Sequence, residues 1–219
     1  IKVFLKAHPE VAMVQPKIKD LAKSDHFEYA GAAGGYLDIM GLPYCRGRVG
    51  SKCEKDNGQY DNNMQVTWAS GACLVVRKSV FDALNGFDAS FFMHFEEIDL
   101  CLRAQSKGHQ VWVVGKSEVF HKGAASLSKE NPRKLYYNIR NSLLTYTKTL
   151  PLIPLLWLYV ARGAFDTTLV LFFMIQLKFD HVNAIIRAYD AFFDLFCKAF
   201  KTRKYTLNPL RLYSILLRF

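Results

Sequence analysis

Residues 151–177, PLIPLLWLYVARGAFDTTLVLFFMIQL, form an almost wholly apolar run in which Arg162 and Asp166 are the only charges. About 20 such residues suffice to cross a bilayer, so this stretch limits what the chain can become more than any other. The Arg-Gly-Ala-Phe-Asp interruption predicts two runs of about a dozen residues, each short for a span. Arg162 and Asp166 are spaced to pair on one helix face. Three readings stand: a buried pair of core helices, an interfacial or re-entrant membrane segment, and a true span. The change of character at Leu150-Pro151 divides the chain into residues 1–150 and a mainly helical tail, 151–219. Within that tail, Phe192 to Tyr205 interleaves aromatics with Lys198, Lys201, Arg203 and Lys204. That pattern predicts an amphipathic helix facing lipid headgroups.

Composition narrows the classes that remain. A chain of 219 residues with 51% hydrophobic and 22% charged residues is neither disordered nor collagen-like. Five cysteines without regular spacing exclude a disulfide scaffold, and no Cys-x-x-Cys is present. The net charge of +10 divides evenly between the two parts, although the tail is less than half as long. Such a balance favours an anionic partner, whether membrane, nucleotide phosphate or nucleic acid. No recognition motif accompanies the basic segment, so no nucleic-acid partner is expected. The chain begins Ile1-Lys2-Val3-Phe4-Leu5-Lys6, as if inside an amphipathic helix, and is expected to be a fragment.

The first 150 residues read as alternating strands and helices, hence an α/β fold class. Residues 2–7 read as a helix end and 11–18 as a short strand closed by Pro16. Residues 19–65, rich in Gly, Asp, Asn and Lys, read as a long irregular excursion, which in a compact domain usually has a function. Residues 66–77 read as a buried strand. Ser79 to Gly86 reads as a helix capped by Ser79, and Glu96 to Lys107 as a helix stopped by Gly108. Gln110–Val114 and Val119–His121 read as two separate strands. Arg133 to Thr149 is a helix by the spacing of Tyr136, Ile139, Leu143 and Thr147.

Glu96-Glu97-Ile98-Asp99 is the densest acidic cluster in this basic chain. It opens a helix, where the dipole favours carboxylates, and Asp99 is placed to pair with Arg103. It also follows the aromatic run Phe91-Phe92-Met93-His94-Phe95. A carboxyl desolvated there would make a general base near neutral pH. His121, at a strand end before Lys122-Gly123-Ala124-Ala125-Ser126, is either structural or a metal ligand. Trp68-Ala69-Ser70-Gly71-Ala72-Cys73 sets small residues beside a large aromatic, which suits either tight packing or close approach of a ligand. Arg46 and Arg48 read as flexible loop residues able to meet an anion. Arg140-Asn141 could meet phosphate or fix a packing contact.

Taken in order, these pieces resemble the C-terminal half of the catalytic domain of family 2 glycosyltransferases, most of all their bacterial rhamnosyltransferase-like branch. The residues that carry the resemblance are Trp68 to Arg77, Gly86-Phe87-Asp88, Phe91-Phe92-Met93, Glu96 to Arg103, Gly108, Val119 to Gly123 and Tyr136 to Asn141. Tyr29 to Gly35 and Cys45-Arg46-Gly47-Arg48 add to it. The resemblance covers residues 1–150. It implies a partial GT-A domain, a nucleotide-sugar donor, inversion at the anomeric carbon and a Mg²⁺ or Mn²⁺ ion. The family's acidic motif usually reads Glu-Asp-x-Asp; here it reads Glu-Glu-Ile-Asp. The general base then falls on Glu97, with Asp99 as rival and Glu96 beside them. His121 matches a histidine that helps hold the metal in some members. Trp68, Ser70, Gly71 and Ala72 match the acceptor-side wall, with Arg46, Arg48 and Arg140 as further substrate contacts.

The family's N-terminal half carries the donor site and an Asp-x-Asp motif, and these 219 residues contain no Asp-x-Asp. The expectation is therefore the acceptor-side half of an inverting, metal-dependent glycosyltransferase of cell-surface polysaccharide synthesis. Its tail would hold it at the cytoplasmic face of the bacterial inner membrane, where glycan or lipid-linked acceptors lie. A non-catalytic, membrane-attached acceptor-binding remnant is the alternative.

Overall fold

A computed structural model describes residues 1–123, 131–204 and 206–208. The chain opens with helix α1 (Lys2–Ala7) and strand β1 (Val11–Asp20). Residues Val11 to Ile18 of β1 are all buried, the pattern of a strand covered on both faces. Four short ribbon strands follow in the glycine-rich excursion: β2 (Gly35–Leu37) pairs with β3 (Pro43–Cys45), and β4 (Arg48–Val49) with β5 (Lys52–Cys53). Then come β6 (Met64–Gln65), β7 (Val75–Val76), helix α2 (Lys78–Ala83), helix α3 (Glu96–Ser106) and strand β8 (Gln110–His121). Three long helices close the chain: α4 (Pro132–Thr149), α5 (Leu152–Ile175) and α6 (Phe179–Lys201). The main sheet has the order β6-β8-β1-β7, with β1 and β8 parallel and both edge strands antiparallel. The α/β class expected from the sequence is therefore present as a mixed sheet with helices.

Several local expectations are corrected. Pro16 does not close β1, which runs on to Asp20. Instead the β1–β8 register slips after Pro16, where Pro16 faces Val114 but Lys17 faces Glu118. Residues 115–117 of β8 bulge out there, because proline offers no N–H to the ladder. A Cβ on Gly115 would come within 2.4 Å of the Asp61 backbone, so only glycine lets that loop cross the bulge. The two strands read at 110–114 and 119–121 are thus one bulged strand.

Residues 66–77 are not a continuous strand. Ser70 caps a 3-10 turn over Gly71–Cys73 by accepting the Ala72 N–H at 3.2 Å; Val75–Val76 form the short strand β7, and Trp68 makes an isolated bridge to Gly35. Helix α2 is capped by Arg77 rather than Ser79, and the Arg77 side chain also donates to the Val11 and His8 carbonyls at 2.7 and 3.0 Å.

The tail differs more. The Arg-Gly-Ala-Phe-Asp interruption does not split α5, which is one 24-residue helix with Pro154 tolerated in its first turn. Arg162 Nη2 pairs with Asp166 Oδ2 at 3.3 Å, and both residues are buried. Helix α6 turns back along α5: the rings of Phe173 and His181 lie 4.7 Å apart, Tyr189 donates to Asp166 at 2.9 Å, and Tyr159 meets Phe192 at 5.9 Å. Its small residues Ala184 and Ala188 are buried, and it packs closely along α4. Arg203 does not face outward with its neighbouring lysines. It donates to the Thr147 carbonyl at 2.7 Å and to that of Leu150, closing the C-terminus of α4. Tyr205 lies outside the described residues.

Candidate active site

Helix α3 is entered through strained backbone. His94 and Phe95 have φ of 63° and 71°, the left-handed region that non-glycine residues rarely occupy. Asn141 of α4 holds this turn. Its Nδ2 donates to the Met93 carbonyl at 2.8 Å and to the His94 carbonyl at 2.7 Å, while its Oδ1 accepts from Arg140 Nε at 2.9 Å. Arg140 also donates to the Ser90 carbonyl at 2.8 Å and lies over the rings of Tyr136 and Tyr137. Arg140 and Asn141 therefore brace the loop that delivers the acidic motif.

That turn separates the three acids. Asp99 points inward and is fully buried, with Arg103 Nε at 2.6 Å and Lys148 Nζ at 2.6 Å. Lys148 continues to Asp88 at 2.8 Å, and Arg103 donates to the carbonyls of Leu84 and Gly86. Two cations at contact distance hold Asp99 in a buried ion-pair network, whereas no cation pairs with Glu97 among the described residues.

Glu97 lies on the other side. Burial and the nearby Glu96 carboxylate raise its carboxyl from the usual range to about 7, against the opposing pull of backbone N–H groups at Gly71 and at the helix start. Its Oε2 has no hydrogen-bond partner among the described residues, and the same is true of Glu96 Oε2 and His94 Nε2. Burial, and then the Lys134 charge, lower the pKa of the His94 imidazole. Three unpartnered polar atoms within four residues, beside the exposed Gly71, mark the point where something else can bind. A Cβ on Gly71 would sit 4.0 Å from the Glu97 carboxyl carbon, so that glycine directly borders the acid.

The small-residue segment forms the wall. Trp68 is buried, donates from Nε1 to the Tyr36 carbonyl at 2.9 Å, and lies against Gly35, where any Cβ would reach within 2.0 Å of the indole. Ser70 is buried and donates to the Ala30 carbonyl. Gln15 ties this wall to the next loop: its Oε1 accepts the Ser70 N–H at 2.7 Å and its Nε2 donates to the Gly31 carbonyl at 3.2 Å. Trp68 and Ser70 thus shape the wall, while Gly71 and Ala72 present its more open backbone.

Arg46 and Arg48 each stand against an aromatic ring. Arg46 lies 4.6 Å from the Tyr60 ring centre, and Arg48 lies 4.1 Å from that of Tyr29 while donating to the Tyr29 carbonyl at 2.7 Å. Burial pushes the thiol of the preceding Cys45 up to about 12, and the charges of Arg48, Glu97 and Glu28 all act on it.

His121 meets Glu28 at 3.3 Å, an ion-pair distance, and Gly123 lets the strand end approach, since a Cβ there would lie 2.3 Å from Glu28 Oε1. The Ala124-Ala125-Ser126 part of the adjoining loop lies outside the described residues. Mg²⁺ and Mn²⁺ favour several oxygen ligands in an octahedral shell. Among the described residues no group of three His, Cys, Asp or Glu side chains gathers, so these residues do not by themselves fit such an ion. The sequence did not mark Asn141 as the brace of the acidic loop, nor Lys148, Gln15 or Glu28 as parts of the site.

No protein-family model matches the chain. Among curated proteins it is similar to the N-acetylglucosaminyl-diphospho-decaprenol L-rhamnosyltransferase of Mycobacterium tuberculosis, with 40% identity over 65 residues, 30% of this chain and 21% of that protein. It is similar to the rhamnosyltransferase WbbL of Escherichia coli, with 41% identity over 103 residues, 47% of this chain and 38% of that protein. A low-salt glycan biosynthesis hexosyltransferase of Haloferax volcanii is 28% identical over 88 residues, 40% of this chain and 29% of that protein. The chain thus spans well under half the length of each of these relatives, all of which are named as glycosyltransferases.

Proposed function

We propose that this chain supplies the acceptor side of an inverting glycosyltransferase, with Glu97 as its general base. The reading rests on one observation: a carboxyl with a pKa of about 7 stands at a strained helix start, one oxygen unpartnered, beside the exposed Gly71. In the reaction, the acceptor hydroxyl passes its proton to Glu97 as its oxygen bonds to the anomeric carbon. The bond from that carbon to the donor phosphate breaks, and the nucleoside diphosphate leaves with the electron pair. Arg140 and Asn141 keep Glu97 in place, Trp68 and Ser70 shape the wall, and Arg46 and Arg48 are the cations assigned to an anionic acceptor group.

A rhamnosyl or hexosyl donor and a lipid-linked or glycan acceptor are the finer form of this reading, supported by the named activities of the relatives; the GT-A fold, family 2 and a place at the membrane complete it, and rest on the resemblance of the sequence motifs and on the apolar tail. A Mg²⁺ or Mn²⁺ ion would neutralise the departing diphosphate. The described residues do not build its site, and no step here passes through it. In the full-length protein, Glu97→Gln is expected to lower turnover about 10²–10⁴-fold with donor affinity retained. Turnover equal to wild type in a sugar-transfer assay would remove Glu97 from the reaction.

A further inference from the structure

Helix α5 is long and apolar enough to cross a membrane by length and composition. Its surroundings favour a different placement. Leu155, Leu158, Arg162 and Asp166 recur at helical spacing and are buried against the body. Both charges are thereby paired inside, with Tyr189 of α6 completing the group. The opposite face carries Ile153, Leu156, Trp157, Val160, Leu171 and Ile175, all exposed and with no charged residue among them. Helix α6 extends this surface with Phe179, Ile186, Phe193 and Phe200, exposed at seven-residue intervals. Phe193 lies beside Tyr189, which faces α5, so the two stripes adjoin.

Helix α6 restrains α5. It runs antiparallel to α5 along its length and is packed on α4, which also braces the acidic loop. A spanning α5 would draw α6 into lipid with its exposed Arg187, Asp190, Asp194 and Lys198, or strip it from α4. Beyond Asp194 the charged side chains exposed at this end are all basic, Lys198, Lys201 and Lys204, which complements an anionic surface.

We propose that the α5–α6 face docks on an anionic lipid bilayer with α5 lying in the plane of the interface, not crossing it. This rests on the membrane placement in the function proposed above and on no feature of the sugar-transfer chemistry. Trp157 sits at the boundary of headgroups and acyl chains, and the paired Arg162 and Asp166 stay turned into the protein.

The test uses the whole chain with Cys53, Cys73 and Cys197 changed to Ser and a fluorescent label on a cysteine placed at Ile153, Val160 or Ile175. The chain is floated with vesicles of phosphatidylethanolamine and phosphatidylglycerol, and label depth is read by quenching with nitroxide lipids. All three labels are expected at one shallow depth, about 5–10 Å into the interface. Flotation should fall at high salt and on Leu156→Glu/Val160→Glu, with circular dichroism unchanged. A Val160 label near the bilayer centre, with Ile153 and Ile175 at opposite surfaces, would overturn the in-plane placement and leave the membrane reading standing. A chain that stays off vesicles and forms a dimer broken by Val160→Glu would show that a second copy covers the face, overturning both. Neither result touches the role of Glu97, which turnover alone reads.

Discussion

Replacing Glu97 by Gln is expected to stabilise the fold above neutral pH and to leave it nearly unchanged in acid. The carboxyl rises from 4.5 to about 7 because burial and the Glu96 charge oppose ionisation. Between these two values the folded chain keeps a proton that the unfolded chain has lost. Stability therefore falls as pH climbs through that window, and the full penalty is present above about 7. The difference corresponds to roughly 3 kcal/mol for a fully shielded group. Glu97 keeps some contact with water, so about 1–2 kcal/mol is the better expectation. Glutamine has the same shape and no charge, and it removes that term. For a chain of this size the gain is a rise in Tm of roughly 2–8 °C at pH 8 and about none at pH 4.5. Thermal unfolding of both proteins, followed by near-ultraviolet circular dichroism at the two pH values, measures it. An equal Tm difference at both pH values, or a variant less stable at pH 8, would refute the desolvated-acid reading. A positive result joined to lost turnover would show stability given up to keep a base poised.

Two further outcomes follow from the same network. Asn141→Ala leaves the Met93 and His94 carbonyls without their donor and should cost about 1–3 kcal/mol in denaturant unfolding. In the full-length protein it should also shift the acid limb of the pH–rate profile, which a purely structural role would not do. Asp88→Asn should act with the opposite sign to Glu97→Gln: Lys148 holds the Asp88 carboxyl below the usual range despite partial burial. Its contribution is present at neutral pH and lost as pH falls through the acid range. The variant should therefore be less stable than wild type at pH 7, with the difference shrinking steadily as pH falls through the acid range, as read by urea midpoints.

Most elements of the first 150 residues were legible because their signals are local. Glycines after α2 and α3, the apolar run of β1 and the helical spacing in α4 all act within a few residues. What was not legible depends on partners far along the chain. The continuity of β8 turns on Pro16, about a hundred residues away, whose missing N–H puts a bulge where the pattern reads as a gap. The local spacing offered Asp99 its Arg103 partner, but Lys148, the second cation that fixes Asp99 as the inward acid, comes from another helix. The left-handed turn at His94 and Phe95 carries no glycine, so it could not be read without Asn141, which holds it. Arg162 and Asp166 looked like a break because a charged pair in an apolar run costs stability alone. Once α6 buries the pair, the helix continues through it.

Helix α4 explains why the acid and the apolar face belong to one arrangement. Asn141 and Lys148 project from it toward the loop and first turn of α3. The same helix receives α6 along its length, and Arg203, just after α6, closes its last turn. A rigid 18-residue helix therefore separates Glu97 from the α5–α6 surface by packing rather than by a flexible tether. If that surface lies flat on a bilayer, the height of Glu97 above the lipid is set by α4 and does not vary from one molecule to the next. A fixed height suits an acceptor whose reacting hydroxyl stands at a constant distance from its lipid anchor. A freely jointed tail would place the base over a range of heights, and most of them would miss such a hydroxyl.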